Sequence, residues 1–317
     1  MQSQITKNIL NTIIYYDILN YPLTAFEVWK YLTVIERHSM SNWTSNVQIS
    51  LGEIIEALES KELKKKIEEF QGFYFLKGRK VLVERRIQND KNSIVKYKIA
   101  EWVAKWLRFV PFVRMAAVTG TLAMKNPEKN SDIDFLVVLE KGRIWTGRLL
   151  VTLAVHLLGK RRHSDKIKNR ICLNYFITTG SLEIKRQDLF AANEYSFIYP
   201  LFGFNVYRNF SRENIGWIKK YKPNFEFGDL KPAKYFIRGE TSNEFQKTLE
   251  SLINLARGDR IESWLKRKQI EKIKRNPLTY KKGGYVEYTD ENLVFLPEPQ
   301  GTRIDNLFQE KIKTLTR

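Results

Sequence analysis

The stretch that most constrains this 317-residue chain is Val118–Val138, VTGTLAMKNPEKNSDIDFLVV. The apolar run Val113–Thr119 ends at Gly120-Thr121, and twelve residues after Gly120 the triplet Asp132-Ile133-Asp134 opens a second apolar run, Phe135–Val138. The pattern reads as strand, tight turn, short helix, loop, strand. Side chains alternate along a strand, so Asp132 and Asp134 share one face while Ile133 and Phe135 share the other. Two carboxylates side by side on a sheet face repel each other and are costly to bury, and a divalent cation between them removes that cost. The competing reading is an exposed strand start whose two acids merely cap a loop.

Gly120 lets the backbone approach a phosphate closely, and Thr121 offers a hydroxyl and an N–H at the start of a helix. The acidic pair then holds magnesium or manganese against that phosphate. Glycine, hydroxyl residue, gap and Asp-x-Asp together resemble the nucleotidyltransferase superfamily with a polymerase-beta-type palm. The resemblance implies that Asp132 and Asp134 bind the metal and that the substrate is a nucleoside triphosphate. It implies that Gly120 and Thr121, with Lys125, Ser131 and Arg148, bind the nucleotide. The superfamily carries a third carboxylate on its third strand, here Ile171–Ile177 (ICLNYFI), where Asn174 is the matching position. Asn is close to Asp in shape but uncharged, so it is no base and a poorer magnesium ligand. By analogy with superfamily members that act on small molecules, Glu194 in the following helical region is the substitute base. Trp145, Arg148, ICLNYFI and FYFLKGR (Phe73–Arg79) also resemble a group of nucleotidyltransferase-domain proteins fused to a winged helix and of unassigned role, over most of residues 1–225.

Elsewhere the chain divides by periodicity and composition. Ile5, Ile9, Ile13 and Tyr16 have helical spacing. Thr24–Glu27 and Ser50–Glu53 are capping boxes that start two more helices, with a polar loop, Glu36–Asn46, between them. Leu51, Ile54, Ile55 and Leu58 are the apolar face of the third helix, and a Gln71-Gly72 turn joins two short strands behind it. Three helices and a hairpin make a winged-helix pattern over residues 1–88. Its third helix carries Glu53, Glu56, Glu59 and Glu62, which oppose approach to DNA phosphates, so protein contact or bracing of the next domain competes with DNA binding. Residues 89–110 read as a connecting helix with Ile94, Trp102, Trp106 and Leu107 as its stripe. Residues 111–186 are the palm, a mixed sheet with helices on one face. Residues 187–317 read as a helical region with a tail. The fold class expected is α+β.

Lys and Arg number 54 against 35 Asp and Glu, a formal charge of +19, which favours polyanionic partners such as nucleotides, nucleic acid or an anionic membrane surface. The lone Cys172 excludes an internal disulfide and fits a reducing cytosol. No apolar run reaches membrane-spanning length, so no membrane partner and a cytoplasmic location are expected. Two functions follow as expectations. One is a metal-dependent enzyme that moves a nucleoside monophosphate to the hydroxyl of a small molecule, protein or nucleic acid. The other is a degenerate palm that binds nucleotide or nucleic acid without turnover.

Overall fold

The computed structural model describes residues 2–35, 49–163, 165–228, 234–238 and 244–315. The loop expected at Glu36–Asn46 lies outside them. Helix α1 (Gln2–Ile18) is buried on nearly every side, with Ile5, Ile9, Ile13 and Tyr16 all inside as their spacing predicts. Both capping boxes form. Thr24 closes strand β1 (Leu23–Thr24) and starts α2 (Ala25–Lys30), its N–H donating to Glu27 at 2.9 Å while its hydroxyl accepts from the Glu27 N–H. Ser50 starts α3 (Leu51–Leu58) with the same reciprocal bonds to Glu53. Ile54 and Leu58 point inward on α3, but Ile55 is exposed.

After the short α4 (Lys61–Lys64), strands β2 (Ile67–Phe70) and β3 (Phe73–Leu76) form a hairpin, and β1 adds to β3. The hairpin turn places Gln71 and Gly72 at φ of 53° and 79°. Two positive values in a two-residue loop match the right-handed twist of the flanking strands.

Helix α5 (Val81–Leu107) joins this unit to the main sheet. Its buried side differs from the stripe expected: Ile94, Trp102 and Trp106 are exposed, whereas Tyr97, Ala100, Val103, Ala104 and Leu107 are inside. Two apolar stripes share this helix. The one with small Ala residues faces the sheet because it permits close approach, while bulky Trp side chains would hold the helix away.

The remaining elements are β4 (Val113–Val118), α6 (Gly120–Ala123), β5 (Ile133–Leu139), α7 (Ile144–Leu157), β6 (Ile171–Thr178), α8 (Leu189–Ser196), β7 (Tyr199–Phe202), α9 (Phe204–Lys219), α10 (Glu244–Leu255), α11 (Gly258–Arg275), β8 (Tyr285–Tyr288), β9 (Asn292–Leu296) and α12 (Gln300–Leu315). Six strands make one mixed sheet in the order β7-β4-β5-β6-β9-β8, in which β5 and β6 run parallel and every other neighbouring pair is antiparallel. The protein is therefore α+β, as expected. The C-terminal region, read as helical, also supplies three of these strands. Within the region read as helical, α8 stops at Ser196 and Tyr199–Phe202 becomes an edge strand. Pro200 is tolerated there because an edge strand has one unpaired side.

Val118, Phe135, Val137 and Leu139 point to one sheet face, where Tyr97, Val103, Trp145, Val151 and Leu265 from α5, α7 and α11 cover them. Met115, Ala117, Leu136, Val138 and Ile177 point to the other and share a core with α1, α8, α9 and α12. Buried Asp17 of α1 fastens this second layer, accepting from Arg79 Nε at 3.0 Å and pairing with Lys311 of α12. The N-terminal helices thus pack into the same core as the sheet. Among the described residues no helix is long and apolar enough to cross a membrane.

Candidate functional site: a carboxylate cleft

The second face of the sheet is not wholly covered. Between the C-terminal side of β4, the start of β5, β6, α8 and the segment leading into α12 lies a cleft of about 360 Å³. Gly120, Thr121, Asp132, Asp134, Asn174 and Glu194, all singled out in the sequence, line it together.

Gly120 fits this place for two reasons. Its φ is +64°, a conformation L side chains rarely adopt, and a Cβ built on it would fall 2.7 Å from Asp134 Oδ2. The glycine is the cradle in which the Asp134 carboxylate rests. The neighbouring Thr119 N–H donates to the Asp134 carbonyl at 3.0 Å, so the turn and β5 are locked in register. Behind the acidic pair, the buried Lys96 of α5 donates to the Ser131 carbonyl at 2.6 Å and to Asn169 Oδ1 at 2.9 Å. That lysine braces the loop from which Asp132 projects.

Two side chains not singled out in the sequence complete the acidic pair's surroundings. Arg162 Nη1 donates to Asp132 Oδ2 at 2.6 Å and to Cys172 Sγ at 3.4 Å. Cys172 is paired with Asp134 across the parallel β5–β6 ladder, and its thiol hydrogen-bonds the Asp134 carboxylate. The acceptor atoms of Asp132, Asp134 and Cys172 all lie within 4.8 Å of one another. Strand alternation carried a signal for Cys172, because it lies two residues before Asn174 and therefore on the same face. The ladder then slips between Cys172 and Tyr175, where Leu136 pairs with Tyr175. This irregularity brings Tyr175 into the cleft beside Asn174. Arg162 belonged to a basic loop with no periodicity, and nothing in the sequence tied it to Asp132.

The electrostatics follow from crowded acids. Burial pushes the Asp134 carboxyl up, Asp132 adds to the effect, and Arg162 and the Cys172 thiol oppose it. Burial likewise pushes Glu194 up to about 7, helped by Asp134 and Asp188 and opposed by a hydrogen bond from the Thr119 hydroxyl. Cys172 is pushed up to about 12 by burial and by the two Asp charges, so its sulfur is a neutral thiol. A divalent cation between Asp132 and Asp134 would cancel the repulsion that raises Asp134. The two carboxylates offer oxygen ligands of the kind that suit a hard cation such as magnesium or manganese.

Three residues expected to bind nucleotide are not in the cleft. Arg148 lies on α7, across the sheet, where its Nη1 donates to Gln269 Oε1 of α11 at 2.7 Å. Period two along β5 separates the faces: the one α7 covers holds Phe135 and Val137, the opposite of Asp134. Lys125 follows α6 and lines a separate cavity with Arg86 and Asp90. Ser131 is turned to its own loop, its hydroxyl donating to the Glu128 carbonyl at 3.0 Å. No protein-family model, curated protein or solved structure matches the chain.

Proposed function

We propose that the protein is a metal-dependent nucleotidyltransferase with a polymerase-beta-type palm, moving a nucleoside monophosphate from a triphosphate to a hydroxyl. The observation that carries this reading is Glu194. It comes from a helix distant in sequence, lies in the cleft of Asp132 and Asp134, and is raised to about 7 partly by Asp134. It supplies the third carboxylate that Asn174 does not.

In this reading Asp132 and Asp134 hold magnesium or manganese, and Gly120 and Thr121 face the phosphates. A divalent ion, when bound, would neutralise phosphate charge and polarise the phosphorus under attack. Glu194 takes the proton of the attacking hydroxyl, a role suited to a carboxylate near neutral pKa. Arg162 leaves Asp132 for the triphosphate, exchanging one anionic partner for another. Asn174 lines the cleft and, being uncharged, moves no proton. The winged-helix reading of the N-terminal unit gives it a bracing role, supported by the core that α1 shares with the sheet.

The second reading, a palm that binds without turnover, has its support in Arg162, which already neutralises Asp132. Calorimetric titration of magnesium with a nonhydrolysable triphosphate tests both. Binding is expected for the native chain and lost in the Asp132→Asn, Asp134→Asn double variant. Equal binding by the two proteins refutes the site. Binding with no pyrophosphate released from any hydrolysable triphosphate favours the second reading.

A further inference from the structure

Helix α7 is apolar on both of its sides. Ile144, Trp145, Val151 and Val155 are buried against the sheet, yet Leu149, Leu153 and Leu157, in one line at helical spacing, are exposed. Leu157 keeps 76% of its surface open and Leu153 keeps 49%. A surface helix ordinarily turns polar residues outward, and a helix apolar all round is ordinarily covered. An exposed apolar patch rimmed by polar groups marks a surface that meets a partner.

The helices beside α7 extend this face. α7 packs against both α5 and α11, and all three cover the same face of the sheet, so their sides away from it look in one direction. On α5 that side carries Val95, Trp102 and Trp106, opposite the buried Ala100, Val103 and Ala104. On α11, Trp264, Arg260 and Arg267 are exposed while Leu265 is buried. Half-exposed tryptophans on two neighbouring helices thus accompany the leucines of α7.

The charge on this face is positive. α7 has no acidic residue. The acids of its neighbours are already matched: Glu101 with Lys105 at 2.8 Å, Asp259 with Arg143 at 2.7 Å and Glu271 with Lys268 at 3.8 Å. Lys98, Arg260 and Arg267, with Arg161 just beyond α7, are exposed and have no ion-pair partner among the described residues.

We propose that the outward face of α5, α7 and α11 docks the protein on the surface of an anionic lipid bilayer. A second copy of this chain would set the same unmatched cations against each other. A nucleic-acid strand gains from stacking on rings, which the leucine line does not offer. A bilayer uses every part of the face: anionic headgroups meet lysine and arginine, tryptophan sits at headgroup level, and leucine enters just below it. Surface association needs no spanning helix. The carboxylate cleft opens on the other face of the sheet, so the docked protein turns its cleft toward water. The proposal is independent of the nucleotidyl-transfer reading.

Flotation of the full chain with vesicles tests it, using phosphatidylcholine alone and phosphatidylcholine mixed with phosphatidylserine. The native chain is expected to float with the mixed vesicles and to stay behind with phosphatidylcholine alone. Leu153→Ser should cut partition into the mixed vesicles by about tenfold or more, the scale of burying one leucine. Arg267→Gln should cut it by up to about fivefold, the scale of one basic residue at an anionic surface. Leu307→Ser, at an exposed leucine of α12 on the other side of the sheet, should partition like the native chain. All three sites are on the surface, and melting temperatures close to native verify folding. No flotation with either vesicle overturns the proposal. So does equal partition of Leu153→Ser and Leu307→Ser, which would mean adsorption by overall charge alone. A concentration-dependent dimer in sedimentation, or binding to single-stranded RNA, that Leu153→Ser abolishes while vesicle partition is unchanged assigns the face to another partner and overturns it as well.

Discussion

Replacing Gly120 by alanine places a methyl group where the Asp134 carboxylate rests. The added Cβ would lie 2.7 Å from Oδ2 and 3.5 Å from Cγ, on a backbone whose φ is +64°. Holding an L side chain in the left-handed region costs about 1–2 kcal/mol. Restoring ordinary contact also requires the carboxylate to retreat by on the order of 0.5–1 Å, because close-packed interiors do not tolerate such overlap. Its neighbours leave little room, since Asp132 repels it, the Cys172 thiol is bonded to it and Glu194 is a third acid nearby. A metal site tolerates displacement of a ligand by only about 0.2 Å, so affinity should fall about tenfold or more. Gly72→Ala supplies the comparison, with a φ of +79° but nothing among the described residues within 4 Å of the added carbon. Both variants should lose stability, by about 2–4 °C of melting temperature per kcal/mol at most for a chain of this size. Only Gly120→Ala should lose manganese or magnesium affinity in calorimetry. Native metal affinity in Gly120→Ala, or a loss of stability no greater than that of Gly72→Ala, refutes the cradle argument.

Three further outcomes are expected. Glu194 is raised from 4.5 to about 7 in the folded chain, so the fold holds a proton that the unfolded chain releases. The associated stability is fully present below about pH 4.5 and is lost as pH rises through about 7. Metal-free Glu194→Gln should therefore gain on the native chain between those values, by on the order of 3 kcal/mol at most, as read from denaturant midpoints across pH. A difference that stays flat with pH would falsify the assignment of the shift to Glu194. The same variant should slow pyrophosphate release about a hundredfold or more if Glu194 is the base. Arg162→Gln frees Asp132 of a partly exposed ion pair, so magnesium alone should bind up to roughly fivefold more tightly while the triphosphate binds less well. Unchanged titrations for both ligands would leave Arg162 without a role in the cleft.

The local features were legible because neighbours in sequence create them. The capping boxes at Thr24–Glu27 and Ser50–Glu53 and the Gln71-Gly72 turn need only a few consecutive residues to choose their conformation. The shared face of Asp132 and Asp134 follows from strand alternation alone, and Gly120 was readable as the residue beside them. The choice between two apolar stripes on α5 was not legible. Only the sheet beneath it favours the Ala100–Ala104 side over the Trp102–Trp106 side. Tyr199–Phe202 and the β8–β9 hairpin read as helix or tail until the sheet offered edges for them to pair with, because ladder bonds form between segments far apart in the chain. The same holds for the site. The resemblance implied that Arg148 joins Asp132 and Asp134, but the sheet lies between them. No spacing related Arg162 to Asp132. A sequence states which groups are present and which face of an element they take. Which groups meet depends on the packing of distant elements, because charges and hydrogen bonds act across a few ångströms of space whatever the length of chain between them.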